Sequence, residues 1–199
     1  MPMTHTLLDP AGYRRMPWKN GGGTTAEIAV APSAGAPGRF LWRASVADVG
    51  QSGPFSAFDG CERLIAVVEG GGMRLTIDGV ATEARRGDPA VRFSGDAGVR
   101  CDLLDGPIRD FNLMVDRERA RGSLEVVTAG HAVPVPAARV VLVYAVDGAV
   151  SVRRAGGTVR VPAGWTLRLD GEDGAIEADA GAWAFVARVD DRQSGSRTA

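Results

Sequence analysis

The chain has 199 residues, 45% of them hydrophobic, enough to bury a core in one large domain or two small ones. Its 23 Lys and Arg against 24 Asp and Glu leave a formal charge of -1, which gives no global attraction to nucleic acid or to an anionic membrane. Twenty-seven Gly and 11 Pro without a collagen period set many turns between short elements, a composition that favours an all-β chain over a helical bundle.

Residues 1–9 hold neither a basic start with an apolar run nor a small-residue cleavage site, so no signal peptide is expected. No eighteen consecutive apolar residues offer a membrane span. The stretch Trp18-Lys19-Asn20-Gly21-Gly22-Gly23 then places an indole, an ammonium and a carboxamide beside three residues free to take φ > 0. Such a run either turns tightly or lets something approach the backbone. It is not a phosphate loop, because the Gly-Lys-Ser/Thr ending is missing.

Alternation predicts a strand over residues 24–30, with Ala26, Ile28 and Val30 on one face and Thr25 and Glu27 on the other. A second strand over 40–46 sets Arg43 and Ser45 on one face and Trp42, Ala44 and Val46 on the opposite one. Residues 52–60 read as a loop carrying Phe55, Ser56 and Phe58. Further strands are expected at 64–68, 73–77, 90–93, 99–104 and 110–115, with Asp78-Gly79 as a hairpin turn. Along the last of these Asp110, Asn112 and Met114 share one face, Phe111 and Leu113 the other. Arg63 and Glu69 read as a solvated surface pair. Residues 129–138 read as a connector and 193–199 as a disordered tail.

The second half repeats the first. Residues 63–68 superpose on 139–144, and the same offset carries 87–93 onto 163–169 and Gly95 and Gly98 onto Gly171 and Gly174. The expectation is two tandem β-barrels: residues 1–120 forming an N-terminal segment plus the first barrel, and 121–192 the second. Val140, Leu142, Ala145, Val150, Val152, Leu167 and Val186 or their neighbours are expected inside the second barrel with few convergent polar groups, which marks it as mainly scaffold.

Pro162-Ala163-Gly164-Trp165-Thr166-Leu167 resembles the glycine turn leading into a cupin strand, and two copies imply a bicupin. Residues 16–25, 42–47, 53–56 (Gly-Pro-Phe-Ser) and 104–114 together resemble, in order, the motifs of the HutD/Ves family. That resemblance implies a compact bacterial bicupin, cytoplasmic, associated with histidine utilisation and binding a small pathway metabolite. Two positions depart from the family pattern. Ala26 stands where a larger or basic residue is common, which would enlarge the pocket, and Ser52 stands where Asp is common.

Metal-dependent cupins hold their ion with several His and a Glu. This chain has only His5 and His131, one near the start and one in the connector, so no metal centre and no cofactor are expected. Cys61 and Cys101 are too few for a metal motif or a disulfide framework, which fits a reduced cytoplasmic setting. Ser45 or Ser56 as a nucleophile would lack a base. What remains is a polar constellation of Lys19, Asn20, Glu27, Arg43, Ser45, Asp110 and Asn112, walled by Trp18 and Phe55, with Ser56 on the loop. A guanidinium binds a carboxylate through two parallel hydrogen bonds, so Arg43 with Lys19 suits a small carboxylate metabolite. Arg43 could instead simply bridge Glu27 or Asp110. Two function classes follow: a ligand-binding protein without turnover, or a metal-free lyase or isomerase with Glu27 or Asp110 as base. A purely structural or interaction module is a third, and two copies could pair through an exposed sheet edge.

Overall fold

The computed structural model describes residues 4–130 and 132–192, so His131 and the expected tail lie outside the described residues. The first half runs β1 (Thr4–Leu8), a 3-10 turn at Pro10–Gly12, β2 (Arg14–Pro17), β3 (Gly23–Pro32), β4 (Phe40–Val49) and β5 (Gly53–Pro54). It continues through β6 (Cys61–Glu69), β7 (Met73–Ile77), β8 (Val80–Ala84), β9 (Val91–Ser94), β10 (Val99–Leu103) and β11 (Ile108–Asp116). The second half holds β12 (Ala120–Thr128), β13 (Val133–Val135), β14 (Val140–Asp147), β15 (Val150–Arg154), β16 (Gly157–Val161), β17 (Thr166–Asp170), β18 (Gly174–Ala178) and β19 (Trp183–Asp191). Every pairing is antiparallel, and no α-helix occurs among the described residues. The fold is all-β, as the composition predicts.

Four sheets form: β2-β3-β4-β11-β6-β9 with β5-β10-β7-β8 in the first half, and β1-β17-β14-β19-β12 with β13-β18-β15-β16 in the second. The two long sheets pack against each other. Trp42, Ala44, Val46, Phe111 and Leu113 from one meet Leu142, Tyr144, Phe185 and Ala187 from the other. Phe111 lies 5.5 Å from Tyr144 and 5.7 Å from Phe185 between ring centroids, and each fully buried aromatic of this kind contributes about 1.5–3 kcal/mol. The opposite face of each long sheet packs on its own four-stranded sheet, giving one core of Ala47, Ile65, Val67, Met73 and Leu75 and another of Val141, Val143, Val150, Leu167 and Ile176.

The internal repeat is visible in register. On β11 and β6, Asp110 pairs with Val67 and Asn112 with Ile65. On β19 and β14, Val186 pairs with Val143 and Arg188 with Val141.

Four expectations are corrected or refined. Val140 and Leu142 face the seam between the halves, and it is their neighbours Val141 and Val143 that enter the second interior. That interior is also less apolar at its rim than expected, because Arg154 pairs with the buried Glu172 (3.1 Å) and reaches His5 Nε2 (3.0 Å). A register shift between Glu27 and Ala29 inverts the alternation of β3, so Ala26 and Ile28 are buried but Val30 is exposed. Finally, β1 leaves the first half and pairs with β17, its crossing held by Tyr13 Oη at 2.8 Å from Thr166 Oγ1.

Candidate functional site

The face of the six-stranded sheet that forms the first-half core is apolar at one end and polar at the other, and a cavity of about 550 Å³ opens over the polar end. Strand register fixes its floor as rows. Arg43, Met114, Arg63 and Phe93 lie side by side across β4, β11, β6 and β9; Ser45, Asn112 and Ile65 form the next row, and Ala47, Asp110 and Val67 the one after. Because side chains alternate, each row sits about 7 Å from the next along a strand. Leu64, Phe111 and Leu113 point away into the seam.

The wall comes from the β2–β3 hairpin. Trp18 N donates to Gly23 O (2.9 Å), Gly21 N to Trp18 O (3.0 Å), and Gly22 N to Asn20 Oδ1 (3.0 Å), which closes the tip. Gly21 sits at φ +71°, where a side chain would be strained. Gly23 is required for a different reason. A Cβ there would lie 2.5 Å from Asp48 O and 3.0 Å from the Trp18 ring. Its absence lets the indole lie flat against β3 and donate Nε1 to Thr25 Oγ1 (2.8 Å), leaving Trp18, Lys19 and Asn20 on the cavity.

The charged groups divide into two kinds. Arg43 Nε donates to Glu27 Oε2 at 2.7 Å, both side chains being mostly buried, so Glu27 fixes the guanidinium from behind without itself lining the cavity. Arg63 is held differently. Its guanidinium lies 5.4, 5.3 and 5.0 Å from the ring centroids of Phe55, Phe58 and Phe93, and Nη1 donates to Ser56 O (3.2 Å). Its Nε has no partner. Burial lowers the pKa of Arg63 to about 10, opposed by the negative charge of Asp110, so it is cationic at neutral pH.

Asp110 is 2% exposed, and its Oδ1 has no hydrogen-bond partner; nor does Oδ1 of Asn112 in the adjoining row. Burial pushes the Asp110 carboxyl up to about 7, with Arg63 opposing and Asp48 reinforcing the rise. Beneath it Cys101 belongs to the apolar core, where burial raises its thiol to about 12, and it is no nucleophile.

Of the residues singled out from sequence, Trp18, Lys19, Asn20, Arg43, Ser45, Phe55, Ser56, Asp110 and Asn112 all line this one cavity, and Glu27 stands behind it. Ala26 is buried in the seam, so its small size does not enlarge the cavity. Ser52 lies on an exposed loop and accepts from Leu103 N (2.9 Å). Arg63 is the residue missed. It is 5% exposed and not a surface residue, and the available signal was its parity with Ile65 and Val67. The divalent metal of other cupins does not fit this donor set, because among the described residues the cavity offers a single carboxylate, no imidazole and three cationic side chains.

Comparison with known proteins agrees with this architecture. Residues 10–186 match the HutD family. A Pseudomonas putida protein described as an uncharacterized 21.2 kDa protein in the hutC 3′ region is 48% identical over 119 residues, 60% of this chain and 62% of that protein. The match thus spans about three fifths of that curated relative's length. Among solved structures, PA5104 of Pseudomonas aeruginosa PAO1, a conserved protein of unknown function, is 38% identical with a TM-score of 0.85, covering 95% of this chain and 100% of that one. HutD of Pseudomonas fluorescens SBW25, in a formate condition, is 35% identical with a TM-score of 0.82 over the same shares. A cupin 2 conserved barrel domain protein from Leptotrichia buccalis, 13% identical with a TM-score of 0.56 over 85% of this chain and 89% of that one, shows a cupin-like fold and nothing more.

Proposed function

The chain belongs to the HutD family, and on that premise we propose that it is a metal-free binding protein whose first-half cavity takes a small carboxylate of histidine catabolism, of the urocanate or formylglutamate type, and whose occupancy modulates that pathway. One observation carries the reading. A desolvated guanidinium, Arg63, lies in a cavity beside Arg43 and Lys19, with its Nε unpartnered. Burying such a group costs several kcal/mol, on the order of what a bound anion returns through charge-assisted hydrogen bonds. Trp18 and Phe55 supply flat walls for the ligand's body. The pathway is suggested by the relative in the hutC region and by HutD of Pseudomonas fluorescens. Isothermal titration with urocanate and with formylglutamate tests it: binding that Arg63→Met abolishes supports the reading, and no heat at millimolar ligand removes it.

A second reading, a metal-free lyase or isomerase acting on a small acid, is favoured by Asp110, whose carboxyl is poised near neutral pH as a general base should be. Product formation from the same acids by the wild type, lost in both Asp110→Asn and Lys19→Ala, would establish turnover; binding without product would dismiss it.

A further inference from the structure

The cavity's hydrogen-bonding groups change character along the rows, although Ser45 and the amide nitrogen of Asn112 can also donate in the middle one. At one end Arg43 and Arg63 flank Met114 and offer donors only. One and two rows deeper, the unpartnered oxygens of Asn112 and Asp110 offer acceptors. A buried acceptor left unmade costs about 1–3 kcal/mol, so two neighbouring ones ask for donors from whatever fills the space. A simple carboxylate has none to give, and it already finds better partners among the guanidinium groups.

We infer that the ligand is bifunctional: a carboxylate held by Arg43 and Arg63 and, one to two residue rows deeper at ~7 Å each, N–H donation to the unpartnered Oδ1 atoms of Asn112 and Asp110. This rests on the reading of the cavity as a carboxylate site and narrows it to acids that carry an azole or amide N–H. Asp110 then accepts from the ligand as a carboxylate anion, so binding near neutral pH releases a proton from it. The charged groups that act on Asp110 are Arg63 of β6, which favours the anion, and Asp48 of β4, which disfavours it; the Cys101 thiol of β10 is neutral at this pH, and Lys19 and Arg43 share the cavity. Burial holds the free carboxyl at about 7, where an added donor shifts its ionisation most.

The test pairs acids of matched shape with and without the donor. Full-length protein is titrated calorimetrically with urocanate against 3-(2-furyl)acrylate, and with formylglutamate against 2-(formyloxy)glutarate, its ester analogue. The expected result is that each donor-bearing acid binds at least about tenfold tighter than its partner, the scale of one unmade buried hydrogen bond. In Asp110→Asn the preference shrinks. Formylglutamate, whose amide does not titrate, is also measured at pH 7 in buffers of different ionisation enthalpy, and net proton release is expected. Equal affinity within the pairs, or proton uptake on binding, overturns the inference while leaving the carboxylate reading intact. If none of the four acids binds, the carboxylate reading itself falls and takes this one with it.

Discussion

Replacing Asp110 by Asn removes an ionisation and little else, since the two side chains have nearly the same shape. Asp110 is fully buried, and its pKa rises from an ordinary value of 3.8 to about 7 because burial penalises the charged form. Between those values the unfolded chain releases the proton and the folded chain keeps it, so folding stability falls as pH rises and is flat again above pH 7. The span from pH 5 to pH 7 lies wholly inside that window, and at about 1.4 kcal/mol for each step of one in pH it gives a loss on the order of 3 kcal/mol that Asp110→Asn does not suffer. Urea unfolding at pH 5 and pH 8 measures it. The variant should gain on the wild type by about that amount at the higher pH. If the two proteins keep a constant difference, to within about 0.5 kcal/mol, from pH 5 to 8, Asp110 ionises normally and its place at a dry cavity floor is refuted.

Arg63→Met keeps an apolar side chain among Phe55, Phe58 and Phe93; thermal melting should show unchanged or higher stability, while titration with urocanate and formylglutamate shows affinity reduced by at least about tenfold. Arg43→Lys loses the planar fork that Glu27 orients, and the same titrations should weaken about tenfold with stability changed by no more than about 1 kcal/mol in denaturant unfolding. Gly23→Ala places a methyl 2.5 Å from Asp48 O and should cost about 1–3 kcal/mol, seen as a lower Tm, whereas Gly12→Ala, with open space around it, should leave Tm unchanged.

Where one face of a strand is buried and the other is not, or the two faces meet different chemistry, alternation made the structure legible. Arg43 with Ser45 and Asp110 with Asn112 each came to the cavity side by side, with Trp42 and Phe111 turned into the seam. β14 offered no such contrast. Its run Val140 to Val146 is apolar on both faces because both are buried, so composition could not tell Val140 and Leu142 from their neighbours Val141 and Val143, which are the ones that enter the second interior. The inversion after Glu27 depends on one extra residue in β3 that no residue type announces. The pairing of β1 with β17 depends on a partner more than 150 residues away, outside any local pattern. Arg63 fell to a composition argument: arginine is usually solvated, and only the ring of phenylalanines from the 52–60 loop and β9 makes burial tolerable.

The two halves show why the site sits where it does. Asp110 and Val186 occupy equivalent places in the repeat, each pairing with a valine on the neighbouring strand, Val67 or Val143. The second half keeps the apolar residue there and gains a dry core of Val141, Val143, Val150, Val152 and Ile176. The first half keeps a carboxylate, an amide and two guanidinium groups on the same face, each of which costs stability in the empty state. That cost is borne by the shared seam, where Trp42, Phe111 and Phe185 are fully buried and tie the long sheet under the cavity to a second sheet whose own interior is mostly apolar. A cavity floor set on the middle strands of a sheet clamped in this way moves little when it is empty. Arg43, Arg63, Asp110 and Asn112 are therefore held in place before any ligand arrives, and binding need not spend free energy on ordering them.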